Sequence, residues 1–224
     1  MWCIPPEQDG AFVARMEQVQ DVYSRPYDAR RPVVCMDEQP IQLLAETREP
    51  WPLKPGQPRR VDYEYTREGT CNVWMFVEPL GCWRDVAVTS RRTAVDWAHQ
   101  IRVLVDAERF ADAERITLVC DNLNTHDVGS LYQAFDAVEA KRIMDRVELI
   151  FTPKHGSWLN IAECELSVLT RQALGGRLKS ETAVADRTVP WTKQRNEQQT
   201  GVDWQFTNDK ARTKLKHLYP KIEN

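Results

Sequence analysis

Three carboxylates stand where an open α/β sheet can bring side chains together: Asp37, Asp121 and Glu163. Asp37 closes the apolar run PVVCMD (32–37), and Asp121 closes RITLVCD (115–121). Glu163 falls one turn into the helical stretch SWLNIAECEL (157–166). Hard divalent cations take oxygen ligands, and a pair of Mg²⁺ ions needs carboxylates converging from separate elements. Strand ends in such a sheet border the crevice where ligands bind. The trio therefore points to metal-dependent phosphoryl chemistry. A single Asp at a strand end is most often a turn former or helix cap, so the set carries the reading and no member does alone. After Ser157, Ala162, Leu166, Leu169 and Ala173 form an apolar stripe. At about 100° per residue Glu163 and Glu165 flank that stripe on opposite sides, so helix geometry admits either as the third carboxylate.

The elements that must position these groups follow from periodicity. Residues 9–23 predict an amphipathic helix with Phe12, Met16, Val19 and Tyr23 on one stripe, Asp9 as cap, and Arg25-Pro26 as its stop. A buried strand is expected at 33–36, and the proline-rich PWPLKPGQP (50–58) reads as extended loop. Strands around 61–66, 72–78 and 83–89, with a Pro79-Leu80-Gly81 turn, predict an antiparallel meander. Thr93 and Asp96 form a capping box for a helix whose face carries Ala94, Trp97, Ile101 and Leu104. A strand at 115–120, a helical region over 129–146, the strand VELIF (147–151) and a helix from Ser157 follow. This alternation predicts parallel pairing, hence an α/β mixed sheet flanked by helices. Beyond Gly175-Gly176 the pattern reads as polar and irregular until a short helix near 208–218. There is no internal repeat and no low-complexity segment.

With 224 residues, 42% hydrophobic and 28% charged, the chain has the composition of a globular protein able to bury a core. No stretch approaches the ~20 apolar residues of a membrane span, and the start MWCIPPEQDG does not read as a secretory signal. Six scattered cysteines (3, 35, 71, 82, 120, 164) read as reduced, cytosolic thiols. Thirty Lys and Arg against 33 Asp and Glu give a net charge of −3, so any grip on DNA must come from local patches or a separate module. Arg59, Arg60 and the tail cluster Lys210, Arg212, Lys214 and Lys216 are the best such patches, although a solvated helix face with Leu215 and Leu218 buried explains the tail more simply.

The segments MDEQP (36–40), CDNLNTH (120–126) and TPKHGSWLNIAECEL (152–166) resemble, as an ordered set, the three acidic motifs of DDE-type transposases, in the branch of bacterial insertion sequences of the mariner superfamily. There the first Asp is followed by Glu, as in Asp37-Glu38. The second stands in Asp-Asn-x-x-x-His, as in Asp121-Asn122 to His126. The last Glu follows Asn by three, as in Asn160 to Glu163, although the proline common after that Asn is here Ile161. The resemblance selects Glu163 over Glu165. It implies a ribonuclease-H-like catalytic domain over about 30–178, preceded by a helix and linker (1–29) and followed by an extension (179–224). It implies two Mg²⁺ or Mn²⁺ ions, with Asp37 bridging both, Asp121 holding one and Glu163 the other. Supporting positions are Glu38, Asn122, His126, His155, Asn160 and Glu165. Implied partners are transposon ends and TA-containing target DNA, a helix-turn-helix module absent from or separate from this chain, and a second copy when assembled on DNA. The implied setting is the bacterial cytoplasm and nucleoid. Residues 1–29 have room for one helix, which suggests a split reading frame, a truncated copy or an excised domain.

Other chemistries fit less well. Cys71, Cys82 and His99 lack the short paired spacing of zinc sites. A Cys120/His126 nucleophile pair is conceivable, but Cys120 points to the opposite strand face from Asp121. His126 and His155 suit phosphate or water contacts about as well as a plain loop role. A repurposed domain that binds DNA or a partner without cutting, and a plain Mg²⁺-dependent nuclease, remain alternatives.

Overall fold

The computed structural model describes residues 8–48, 54–57 and 62–221. β1 (Val33–Glu46), β2 (Tyr65–Glu78) and β3 (Trp83–Thr89) form an antiparallel meander. β4 (Ile116–Cys120) and β5 (Val147–Phe151) continue the sheet from β1 in parallel, giving the order β3-β2-β1-β4-β5. The mixed α/β sheet flanked by helices is the one expected from sequence.

Alternation along the strands divides the core in two. Val73, Met75 and Val77 of β2 point to one face with Cys35 and Val119, whereas Trp74 and Phe76 point to the other with Met36, Leu118 and Cys120. The first face is covered by α1 (Gly10–Tyr23), α5 (Ile161–Gln172), α6 (Glu181–Glu197) and α7 (Asn208–Lys214). The second is covered by α2 (Ala94–Asp106), α3 (Gly129–Ala134) and α4 (Ala137–Arg146). The predicted caps form: Asp9 accepts from Phe12 N at 2.9 Å, and Thr93 and Asp96 make the reciprocal capping box of α2.

The structure departs from the sequence expectation at four places. Of the strands predicted at 61–66 and 72–78, Tyr65 and Thr66 of the first run on into the second as one strand, β2, whose exposed start lies against the equally unexpected second half of β1; residues 62–64 are not strand. A bulge between Leu43 and Leu44 takes up the extra residue there, beside Gly69 at φ 109°. The helical region at 129–146 is two helices, because Phe135 is extended and Asp136 caps α4 by accepting from Val138 N and Glu139 N. Finally, the polar stretch beyond Gly176 holds the 17-residue helix α6, capped by Ser180 and buried through Val184, Thr188 and Trp191. Its Pro190 and weak apolar stripe hide it from periodicity.

Of the loop predicted at 50–58, only the turn closed by Lys54 and Gln57 lies within the described residues. Leu215 and Leu218 are buried as expected. Among the described residues no helix is long and apolar enough to cross a membrane.

Candidate active site

Sheet register brings two of the three carboxylates level. Cys35 pairs with Val119 in the parallel ladder, so two residues further along Asp37 stands beside Asp121 on the same face. Asp37 does not end its strand; β1 runs on to Glu46, and it is the neighbouring β4 that stops at Cys120. Cys120 turns into the opposite core, as its strand position requires. α5 covers the face that Cys35 and Val119 share and carries Glu163, exposed, in its first turn.

A hydrogen-bonded tie aligns that helix. The fully buried Asn160 caps α5, its Oδ1 accepting from Ala162 N at 3.1 Å. Its Nδ2 donates to the carbonyl of Met36 at 2.8 Å, one residue before Asp37. Tyr23 of α1 reinforces the approach by donating from its hydroxyl to the Leu159 carbonyl at 2.8 Å. The Asn three residues ahead of Glu163 therefore links the helix bearing one carboxylate to the strand bearing another.

Glu165 has a different surrounding. It is buried, with Oε2 3.3 Å from Arg84 Nε, while Arg195 Nη2 donates to both its oxygens at 2.8 and 3.1 Å. Asn196 completes the knot by accepting from Arg84 N and donating to Arg84 O. This buried ion cluster fastens α5 and α6 to β3. It leaves Glu163, not Glu165, beside Asp37 in the surface cleft that also holds Gln39, Ser167, Thr170 and Arg171. Sequence reasoning missed Arg84 and Arg195, whose partner lies far away along the chain.

On the other side of Asp37, Glu38 is nearly inaccessible (3%) and faces Arg92 at 3.5 Å and His126 Nε2 at 3.4 Å. His126 is buried and stacked on Trp97, with Nδ1 2.6 Å from Asp121 Oδ1 and 3.3 Å from the Asp121 carbonyl. Burial alone would lower its pKa, but the Asp121 and Glu38 carboxylates outweigh this and hold the imidazolium up to about 9. Burial, followed by the charges of Glu38, Asp121 and Glu163, pushes the Asp37 carboxyl up to about 7. The pocket thus concentrates negative charge that its protein cations do not neutralise.

Oxygen donors in that state suit a hard divalent cation. Among the described residues, however, no three His, Cys, Asp or Glu side chains are drawn together into a closed metal cluster. The donor chemistry fits while the arrangement stays open. Cys71, Cys82 and His99 likewise form no metal cluster.

The remaining predicted positions are dispersed. Asn122 is exposed and lines a second cleft with Arg92, Leu123, Asn124 and Thr125. His155 is exposed at a left-handed φ of 64° in the turn after β5. Arg212 is held by Glu17 at 2.9 and 3.1 Å, and Lys210 Nζ donates to the Gln205 carbonyl at 2.6 Å. Lys214 and Lys216 are exposed, and Arg59 and Arg60 lie outside the described residues. Arg92 escaped sequence reasoning, although the Arg91-Arg92 pair directly precedes the Thr93 cap.

A family model described as the DDE superfamily endonuclease matches residues 32–184, well over half of the chain. No curated protein matches. Among solved structures, the chain is similar to the mariner Mos1 paired end complex with Mg, with TM-score 0.57 and 15% identity, over 98% of this chain and 66% of that one. It is similar to the Mos1 mariner paired end complex with Mn at TM-score 0.55 and 16% identity, over 88% and 61%. It is also similar to the Mos1 Strand Transfer Complex at TM-score 0.54 and 18% identity, over 85% and 56%. This chain therefore spans between 56% and 66% of the length of those solved chains. At such identities the likeness shows the fold, and it is the ribonuclease-H-like fold.

Proposed function

This chain belongs to the DDE superfamily of endonucleases, and from that premise we propose that it is a transposase catalytic domain that cuts and joins DNA strands at the ends of a bacterial insertion sequence. The observation that carries the reading is the meeting of three elements at one place: Asp37 on β1, Asp121 at the end of β4 and Glu163 on the α5 that Asn160 ties to Met36. Asp37, Asp121 and Glu163 would hold two Mg²⁺ or Mn²⁺ ions, the kind of ion named for the similar Mos1 complexes. When bound, such ions supply charge for activating a nucleophilic oxygen and for stabilising the leaving one in an in-line displacement.

The chain's own residues orient and support. His126 lies against Asp121 Oδ1 and Glu38 Oε2, so it would fix the orientation of the Asp121 carboxylate towards a bound cation. Asn160 sets the height of Glu163 along the sheet. Asn122, exposed in the cleft beside Glu38, is available to phosphate oxygens, and the exposed His155 would contact phosphate from the turn after β5. The crowding of Glu38, Asp121 and Glu163 around Asp37 would be relieved by a bound cation.

Residues 30–178 form the catalytic domain, with 1–29 and 179–224 as flanking segments. The whole protein's partners follow the same reading: transposon ends, a TA-containing target, a helix-turn-helix module, a second copy on DNA, and a nucleoid setting. The test is incubation of the full chain with labelled terminal-repeat DNA and a supercoiled target plasmid in Mg²⁺ or Mn²⁺, with and without the upstream reading frame. Cleaved ends joined to the plasmid support the reading. Cleavage without joining reduces the chain to a nuclease, and intact DNA under every condition leaves a binding domain.

A further inference from the structure

Two clefts open on either side of Glu38. One holds Arg92 with the segment Asn122–Thr125. The other holds Asp37 and Glu163 with Ser167, Thr170 and Arg171 of α5, and its floor is joined across elements where Thr170 Oγ1 donates to Gln39 Oε1 at 3.2 Å. The two grooves thus meet at Glu38; Asp37 and Glu163 line the second of them, and each groove carries one arginine.

A phosphodiester chain brought here meets Asp37, Glu38, Asp121 and Glu163 on a protein of net charge −3. Like charges repel it unless cations meet its phosphates nearby. Arg92 is half-exposed (47%) and touches Glu38 through a single nitrogen at 3.5 Å, so its remaining donors face other partners. Arg171 is exposed and makes no hydrogen bond or ion pair with any described residue. A guanidinium is well matched to a phosphate because its planar donors engage two oxygens at once. Arg212, in contrast, is already engaged by Glu17.

Building on the reading of the chain as a DNA-cutting enzyme, we propose that one DNA strand runs from the Asn122–Thr125 cleft across the carboxylates into the Ser167–Arg171 cleft, with Arg92 and Arg171 holding phosphates on opposite sides of the one that is cut. The amides of Asn122 and Asn124 and the exposed Leu123 line the path on the Arg92 side and give sugar and base a polar and an apolar contact.

The test is fluorescence anisotropy of a short single-stranded oligonucleotide with the full chain, titrated at several salt concentrations in EDTA so that nothing is cut. Each phosphate contact on a single strand contributes about 0.7 to the slope of log affinity against log salt. Arg92→Gln and Arg171→Gln should each flatten that slope by about 0.7 and weaken low-salt binding several-fold. The double variant should flatten it by about 1.4. Arg212→Gln should change neither quantity. Among the described residues the Arg171 side chain has no hydrogen-bond or ion-pair partner to lose, so its variant reads the contact with little folding cost. A slope unchanged in both single variants, or flattened in only one, overturns the two-sided path. Because binding is read without cleavage, a chain that fails to cut DNA still returns these slopes, and the two readings fail separately.

Discussion

Glu163→Gln should abolish strand cleavage and leave stability within about 0.5 kcal/mol of the parent, because the side chain is exposed and has no ion pair among the described residues. Glu165→Gln, two residues away, should cost about 3–5 kcal/mol by stranding Arg84 in the interior without its counter-charge. Paired melting curves and cleavage assays check both; a Glu163→Gln chain that melts as early as Glu165→Gln would reverse the assignment. Asp37→Ala should likewise remove cleavage while the fold persists, since relieving a crowd of like charges seldom destabilises it. Asp37 also predicts a pH dependence. Its folded pKa of about 7 lies above the ordinary 3.8, so stability is full below about pH 4 and is lost as pH rises towards 7. Asp37→Asn should therefore melt higher than the parent at pH 8, with the gap closing near pH 4. A gap that widens as pH falls contradicts this. The carboxylates were legible in sequence because each terminates or follows an apolar run. The burial of Glu165 against Arg84 and Arg195, beside an exposed Glu163, was not, because periodicity cannot place those two arginines.

At the scale of elements, Asn160 couples a helix start to a central strand, and Asn160→Asp separates its two tasks. The carboxylate still caps α5 but cannot donate to the Met36 carbonyl, so a buried acceptor is left bare at a cost of about 1–3 kcal/mol. Cleavage should fall with it, and cleavage at the parent level would show that the height of Glu163 is set elsewhere. Helices with a strong stripe and a cap, such as α2, are readable from spacing alone. The outer half of the β1–β2 ribbon is not, because on the β2 side the residues from Tyr65 to Thr70 are exposed and mostly polar and stay extended through pairing with β1. α6 is not readable either: its burial is limited to Val184, Thr188 and Trp191, and Pro190 signals a break that tertiary packing overrides.

For the molecule as a whole, a net charge of −3 predicts weak duplex binding by this chain in isolation, with terminal-repeat and scrambled DNA competing about equally. Affinity should fall steeply as salt rises. A preference for the element's own ends above about a hundredfold would mean that the chain reads bases itself. The order of strands in the sheet also sets an order of events in time. β1, β2 and β3 are consecutive in the chain and pair with their immediate neighbours, whereas the parallel ladder must first bring Thr117 to Val33. Closing that long loop costs entropy before any contact repays it, so the meander bearing Asp37 has the head start. Asp121 joins it only when β4 docks, and Glu163 only when α5 settles on Met36. Emerging from the ribosome, the chain presents its three carboxylates in the same sequence. A nascent or half-folded copy therefore lacks the assembled carboxylate trio, and any chemistry that needs all three together must wait for the last stages of folding.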